Sequence, residues 1–460
     1  MRPVQSLQMP LAPSFGEHPQ ARELAKVSEI FDANPRVYEL VHQDLIIGRS
    51  PAAGRRGLSG EQVLRIGFLY QRFELTYDEL SFHLQDSQAF RAFARISLGA
   101  DIKPKRLQAN LKRIRPETWE EINRVLLLYA QEQGVERGRK IRTDCTGVEA
   151  NIHAPTDSSL LWDCVRVVTR ILHRLEEHFP GVDWAFHDHT RRAKKRFKQV
   201  EFSRKRKDKK ALYQDLLRAA QLTYGYGTRA LELIKQVHAM TPVAMLMLSA
   251  AEDELRGYLD SMHKVMDQTR RRVIEEQSVP ADEKLLSIFE THTDIIVKGS
   301  RDPLFGHKIC LTAGASSLIL DCVIEDGNPA DSTMVGRTIE RQIEIYGRAP
   351  RQASFDGGFA SKDNLKTAKD KYKVEDVVFH KKCGLEESEM ARSLWVFKRL
   401  RNFRAGIEGI ISCLKRAVGL TRAVWRGLQG FKSYVWSSVV SFNALTLARR
   451  LLARAAPAPA

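Results

Sequence analysis

Lys-Ile-Arg-Thr-Asp-Cys-Thr, residues 140–146, is the stretch on which the fold turns. Its apolar and polar positions alternate as in a half-buried strand. The strand ends with Asp144, ahead of Cys145-Thr146-Gly147. Downstream, further strands are expected at His307–Leu311, Leu318–Ile324, Ala353–Phe355 and Val374–His380. Helices are expected at Asp331–Gly347, with Gly347 as C-cap, and at Ser361–Tyr372, Leu394–Val418 and Trp425–Leu452. Strands alternating with helices predict a mixed α/β sheet covered by helices. Residues 158–285 read as mostly helical, so the first strand is parted from the others by a long insertion.

Upstream of residue 140 the pattern is helical. Ser59-Gly-Glu-Gln62 and Thr76-Tyr-Asp-Glu79 are capping boxes, in which a hydroxyl accepts from the amide three residues on. A third helix follows Ser87. A fourth follows Pro104 and carries Lys112 and Arg113, and Pro116 opens another. Residues 58–135 therefore read as an all-α domain whose basic helix suits DNA, or as a plain bundle with a solvated basic face. Residues 1–57, rich in Pro, Gly and Arg, are expected to be partly unstructured, and 425–460 to be a C-terminal helix and tail.

Composition narrows the classes. Lys plus Arg number 73 and Asp plus Glu 56 in 460 residues, a net charge of +17. That excess favours a polyanionic partner, nucleic acid first. The six Cys are scattered with no C-x-x-C, which argues against a thiolate zinc site or a secreted disulfide scaffold. No apolar run approaches a membrane span. A cytoplasmic protein without a membrane partner is expected.

Three carboxylates stand out. Asp144 and Asp356 both end strands, and Gly357-Gly358 after Asp356 permit close backbone approach. Glu408 is the lone acid among residues 390–460, against thirteen Lys and Arg. Helical spacing puts Arg401, Arg404, Glu408, Ser412 and Lys415 on one stripe, beside apolar Ile407, Ile411, Leu414 and Val418. Three hard oxygen donors suit Mg2+ or Mn2+, and two such ions can drive phosphodiester chemistry. Glu149 and Asp157 are rival carboxylates, and His292 and His307 possible extra ligands. Each Asp also fits a turn, and Glu408 fits an ordinary i,i+4 pair with Arg404.

The segments Thr143-Asp144-x-Thr146-x-Val148-Glu149, Asp356-Gly-Gly-Phe-x-Ser361-x-x-Asn364 and Arg404-x3-Glu408-x6-Lys415 together resemble bacterial insertion-sequence transposases of the DDE class. The resemblance covers most of residues 58–430, including Thr76-Tyr-Asp-Glu-Leu-Ser-Phe-His-Leu in the N-terminal helices. The family's signature Tyr falls at Arg401, a departure that leaves the role of this position open. The resemblance implies a ribonuclease-H-like catalytic core (136–157 and 286–424) with Asp144, Asp356 and Glu408 as catalytic metal ligands. It also implies two Mg2+ or Mn2+ ions, phosphate contacts from Arg404 and Lys415, and a homodimer on transposon ends and target DNA. The rival readings are a non-catalytic DNA-binding derivative and another ribonuclease-H-like nuclease.

Residues 191–210 carry twelve Lys and Arg and two acids. Lys195, Arg196, Arg204, Lys205, Arg206 and Lys207 are the candidates there for sequence-independent phosphate contact, against a solvated charged loop.

Overall fold

The computed structural model describes residues 4–5, 16, 18–48, 57–97, 99–100, 102–203, 205–237, 241–297, 302–381 and 383–455. Internal packing divides the chain into two units, Met1–Asn151 with Ile296–Ala460, and Ile152–Ile295.

The first unit begins with α1 (Pro19–Asp32), α2 (Arg36–Ile46), α3 (Gly60–Arg72), α4 (Tyr77–Asp86), α5 (Gln88–Ala94), α6 (Pro104–Leu111) and α7 (Pro116–Glu132). Both expected capping boxes are present, at Ser59/Gln62 and Thr76/Glu79. β1 (Lys140–Glu149) follows.

The second unit holds α8 (Asp157–His178), α9 (Thr190–Phe202), α10 (Arg206–Gln236) and α11 (Pro242–Thr269). Its core is aliphatic, with Leu161, Val165, Val168 and Leu172 of α8 among the buried residues. The chain then returns through β2 (Asp294–Ile296), β3 (Leu304–Ala313), β4 (Ile319–Ile324), α12 (Val335–Tyr346), β5 (Gln352–Phe355), α13 (Lys362–Lys366), β6 (Asp376–Phe379), α14 (Glu387–Met390), α15 (Leu394–Ala417) and α16 (Gly427–Ala455).

Among the described residues the sheet has six strands in the order β2-β3-β1-β5-β6, with β4 also paired to β3. β1, β5 and β6 are parallel, and β3 is antiparallel to β1 and to β4. β3, β5 and the edge strand β6 are largely buried, as strands covered by helices must be. α15 packs on β1, β5 and β6. Gly347 ends α12 at φ +67°, the left-handed cap that glycine adopts without strain.

Several expectations need correction. β1 does not stop near Asp144 but runs to Glu149, because β3 continues the antiparallel pairing from Thr143↔Thr312 to Glu149↔Gly306. Residues 1–57 contain α1 and α2, whose Val27, Ile30, Phe31, Val37 and Val41 are fully buried. Their Pro residues open or precede the helices instead of breaking them. α6 ends at Leu111, so Lys112 is its C-cap and Arg113 lies in the following turn. Pro116 then holds Arg115 extended, at ψ 156°. The short strand β2 was not expected, and the insertion is wider than 158–285.

Residues 58–135 and 425–460 also share the sheet's unit instead of standing apart. α16 packs on α1, α3 and α7. Asn443 accepts from the Ile319 amide at 2.8 Å and donates to Asn123 Oδ1 at 2.7 Å, tying α16 to β4 and α7. Among the described residues no helix is long and apolar enough to cross a membrane.

Candidate active site

The last paired residues of β1 and β5 are Thr143 and Phe355. Asp144 and Asp356 come next on each strand, so the parallel register places them side by side where the β1–β5 pairing ends. Asp144 nevertheless remains within β1, held by its antiparallel partner Leu311 on β3. Its Oδ1 accepts from the Cys145 amide at 2.7 Å, which fixes the carboxylate orientation. Asp356 precedes a 3-10 turn at Gly357–Phe359, and its side chain makes no capping bond there. A Cβ at Gly358 would fall 2.9 Å from Asp331 Oδ2, so this turn admits little but glycine.

Glu408 reaches the same place from α15. One guanidinium joins all three acids. Arg404 Nη2 donates to Asp144 Oδ2 at 2.8 Å and lies 3.1 Å from Asp356 Oδ1, while Nη1 donates to Glu408 Oε1 at 2.8 Å. The exposures differ widely. The side chains of Arg404 and Asp144 are each 7% exposed, that of Asp356 27% and that of Glu408 64%. The Asp144 contact is a buried ion pair, whereas Glu408 stands at the solvent edge.

These residues line an open cleft of about 760 Å3 with Thr146, His380, Ser412, Lys415 and Arg416. Aspartates from where the β1–β5 pairing ends face bases from the second half of α15. Ile411, expected in the apolar stripe, lines the cleft, and Ile410 is buried instead. Arg401 is exposed on the same helix.

His380 was missed, although it follows β6 as Asp356 follows β5. Its place at the end of a parallel strand beside an acid was the signal that could have found it.

The rival groups have other roles. Glu149 accepts from Arg422 at 2.6 Å, and Asp157 accepts from Arg272 at 2.9 Å and from Gln268 at 3.2 Å. His292 pairs with Glu290 at 2.9 Å, and His307 meets the Phe431 ring edge-on at 4.8 Å. None of the four lines the cleft.

The basic run forms α9 and the start of α10. Arg191, Lys194, Lys195 and Lys198 are exposed at helical spacing, opposite buried Ala193 and Val200. Lys205 is exposed too. Arg196 is instead drawn into an ion pair with Asp215 of α10, together with Arg192. Arg204 and the side chains of Arg206 and Lys207 lie outside the described residues. In the N-terminal helices Lys112 is exposed, whereas Arg113 donates to the Ile47 carbonyl at 2.6 Å.

Among the described residues no three His, Cys, Asp or Glu side chains form a ready metal cage. The donor chemistry still fits a hard divalent cation, since three carboxylates already converge on one positive charge. Comparison of the chain with family models, with curated proteins and with solved structures finds no match.

Proposed function

We propose that the chain is a DNA transposase that cleaves and joins phosphodiesters at the cleft between β1, β5 and α15. The observation that carries this reading is the convergence of Asp144, Asp356 and Glu408 on one cationic group at a parallel strand end. The sheet supports a ribonuclease-H-like core, with an antiparallel β4-β3-β1 set extended by parallel β5 and β6.

Asp144, Asp356 and Glu408 would hold Mg2+ or Mn2+, which supplies Lewis-acid activation of the phosphodiester and of the attacking hydroxyl. The backbone register fixes the spacing of the two aspartates before any ligand arrives, the kind of preorganisation catalysis needs. Lys415 and Arg416 put positive charge on the cleft wall for the flanking phosphates. Arg404 is poised to exchange its carboxylates for a phosphate, because a guanidinium serves both as a bidentate donor. His380 is within the same cleft and can orient a hydroxyl or a phosphate oxygen. The exposed stripe on α9 and Lys112 would hold duplex backbone without reading sequence. Paired transposon ends would call for two copies of the chain, acting on DNA in the cytoplasm.

One observation favours a second reading, a DNA-binding relative without catalysis. The Arg404 bridge already neutralises the acids, as a purely structural ion-pair network would. Strand transfer separates the two. Labelled DNA carrying the inverted repeats that flank the gene is mixed with a target plasmid in Mg2+ or EDTA. Covalent joining in Mg2+ alone supports the transposase. Tight binding of the repeats with no nicking or joining in either buffer supports the relative.

A further inference from the structure

Alternation along β1 puts Lys140, Arg142 and Asp144 on the face covered by α15. The contacts agree. Lys140 Nζ lies 4.1 Å and the Arg142 guanidinium 4.5 Å from the centre of the Phe403 ring, one residue before Arg404. Arg142 also donates to the Phe403 carbonyl at 3.0 Å and to Ser317 Oγ at 2.9 Å. Lys140 and Arg399 are near enough to repel one another, as are Arg142 and Arg450. Burial first, and then Arg399 and Arg142, lowers the pKa of Lys140. Arg399 lies 5.0 Å over the ring of Trp395, which is 65% exposed.

What marks this group is the missing countercharge. Arg392, Arg422 and Arg449, from the same C-terminal segment, each engage a carboxylate, at 2.8, 2.6 and 2.6 Å. Among the described residues Lys140, Arg142, Arg399 and Arg450 have no ion-pair partner. The charge of Glu136 acts on Arg142, but that carboxylate is committed to the Ser316 hydroxyl and amide and to the amides of Arg137 and Gly138. Crowding like charges costs stability unless an anion relieves it. Unpaired Lys and Arg neutralise backbone phosphates, and the rings beneath them hold these charges in place.

We propose that Lys140, set on Phe403, and Arg399, set on Trp395, form with Arg450 near Arg142 a second DNA-backbone site outside the catalytic cleft. It deepens the transposase reading and rests on DNA being the partner. Asp144 lies four residue steps along β1 from Lys140, about 13 Å, or roughly the rise of four base pairs. The site would hold the duplex a few base pairs from the scissile phosphate and set the direction in which DNA leaves the cleft. Among the described residues it holds no carboxylate, and it needs no divalent ion.

The test is binding of a short labelled duplex of unrelated sequence in EDTA, measured by anisotropy over a range of salt concentrations. The triple variant K140Q/R399Q/R450Q is compared with R36Q/R351Q/K371Q, which removes the same charge from cations already paired with Glu39, Glu375 and Glu340. The double variant R399Q/R450Q keeps the Lys140–Phe403 contact and guards against a folding defect in the triple. Each phosphate that is no longer neutralised lowers the salt slope by about 0.9. The site triple is expected to bind on the order of a hundredfold more weakly near ~0.1 M salt, and the control less than about threefold more weakly. Equal weakening in the two triples overturns the site and leaves DNA binding intact. Failure of the wild-type chain to bind any DNA overturns both this site and the function it rests on.

Discussion

Arg404 Nη2 stands 2.8 Å from Asp144 Oδ2, and both side chains are 7% exposed. A buried pair of this kind contributes little over an apolar replacement, but removing one partner strands a charge at a cost of about 3–5 kcal/mol. Arg404→Met is therefore expected to lower the melting temperature of the metal-free protein. Mn2+ should then stabilise the variant more than the wild type, because the carboxylates lose their resident cation. Calorimetry with and without Mn2+ reads both effects. A variant that melts like the wild type and gains nothing from Mn2+ contradicts a site built around this guanidinium.

The exposed stripe on α9 makes a separate prediction. Lys194→Gln, Lys195→Gln and Lys198→Gln combined should weaken binding to unrelated DNA and to terminal-repeat DNA about equally. The salt slope should fall by about 0.9 for every phosphate that the lysines neutralise in the wild type. Filter binding at several salt concentrations measures this. Weakening restricted to terminal-repeat DNA would show that the stripe reads sequence.

Asp215 makes the insertion sensitive to acid. The hydrogen bond from Arg192, outweighing the opposing effect of burial and aided by Arg196, holds its pKa at about 2 against an ordinary 3.8. A depressed carboxylate adds stability above its unfolded pKa and loses it as pH falls through the folded value. The α9–α10 packing should therefore weaken between about pH 4 and pH 2. Asp215→Asn should be less stable at neutral pH and show a flatter response in that window. Acid titration of the melting temperature of the two proteins is the check, and an identical slope in both rules out Asp215 as the cause.

Gly406 lets α15 approach β1. A Cβ there would fall 2.0 Å from Arg142 Nη1, and that guanidinium is buried and bonded to Phe403 and Ser317. Gly406→Ala should cost about 1–3 kcal/mol from overpacking, partly offset by about 1 kcal/mol of helix propensity. Denaturant unfolding measures the difference. A stabilised variant would mean that Arg142 moves aside freely.

How far the sequence could be read depended on the range of the interaction. Capping at Ser59 and Thr76 and the Gly347 stop are set within a few residues, and pattern alone places them. The closeness of Asp144 and Asp356 is a matter of register between strands about two hundred residues apart, whose pairing ends one residue earlier at Thr143 and Phe355, yet strand-end logic suggested it. The continuation of β1 past Asp144 depends on β3, which lies beyond the insertion, so local alternation could not show it. The place of α16 was hidden for a similar reason. Its polar Ser437, Ser438 and Asn443 are buried and bonded to Gln71, Tyr434 and Asn123. The Arg404 bridge was legible only as its i,i+4 arm to Glu408, because its arms to Asp144 and Asp356 cross from helix to sheet.

The proposed catalytic role of the three carboxylates is tested most directly by comparing wild type with Glu408→Gln for nicking at the terminal repeats, in Mg2+ and in EDTA. Glu408 is 64% exposed, so the substitution leaves the fold in place, and Gln preserves its shape while removing its charge. If Glu408 is the third carboxylate, the wild type nicks in Mg2+ alone, and the variant keeps DNA binding while nicking at least about a hundredfold more slowly. Equal nicking by both proteins would contradict the assignment of Glu408 as the third catalytic carboxylate.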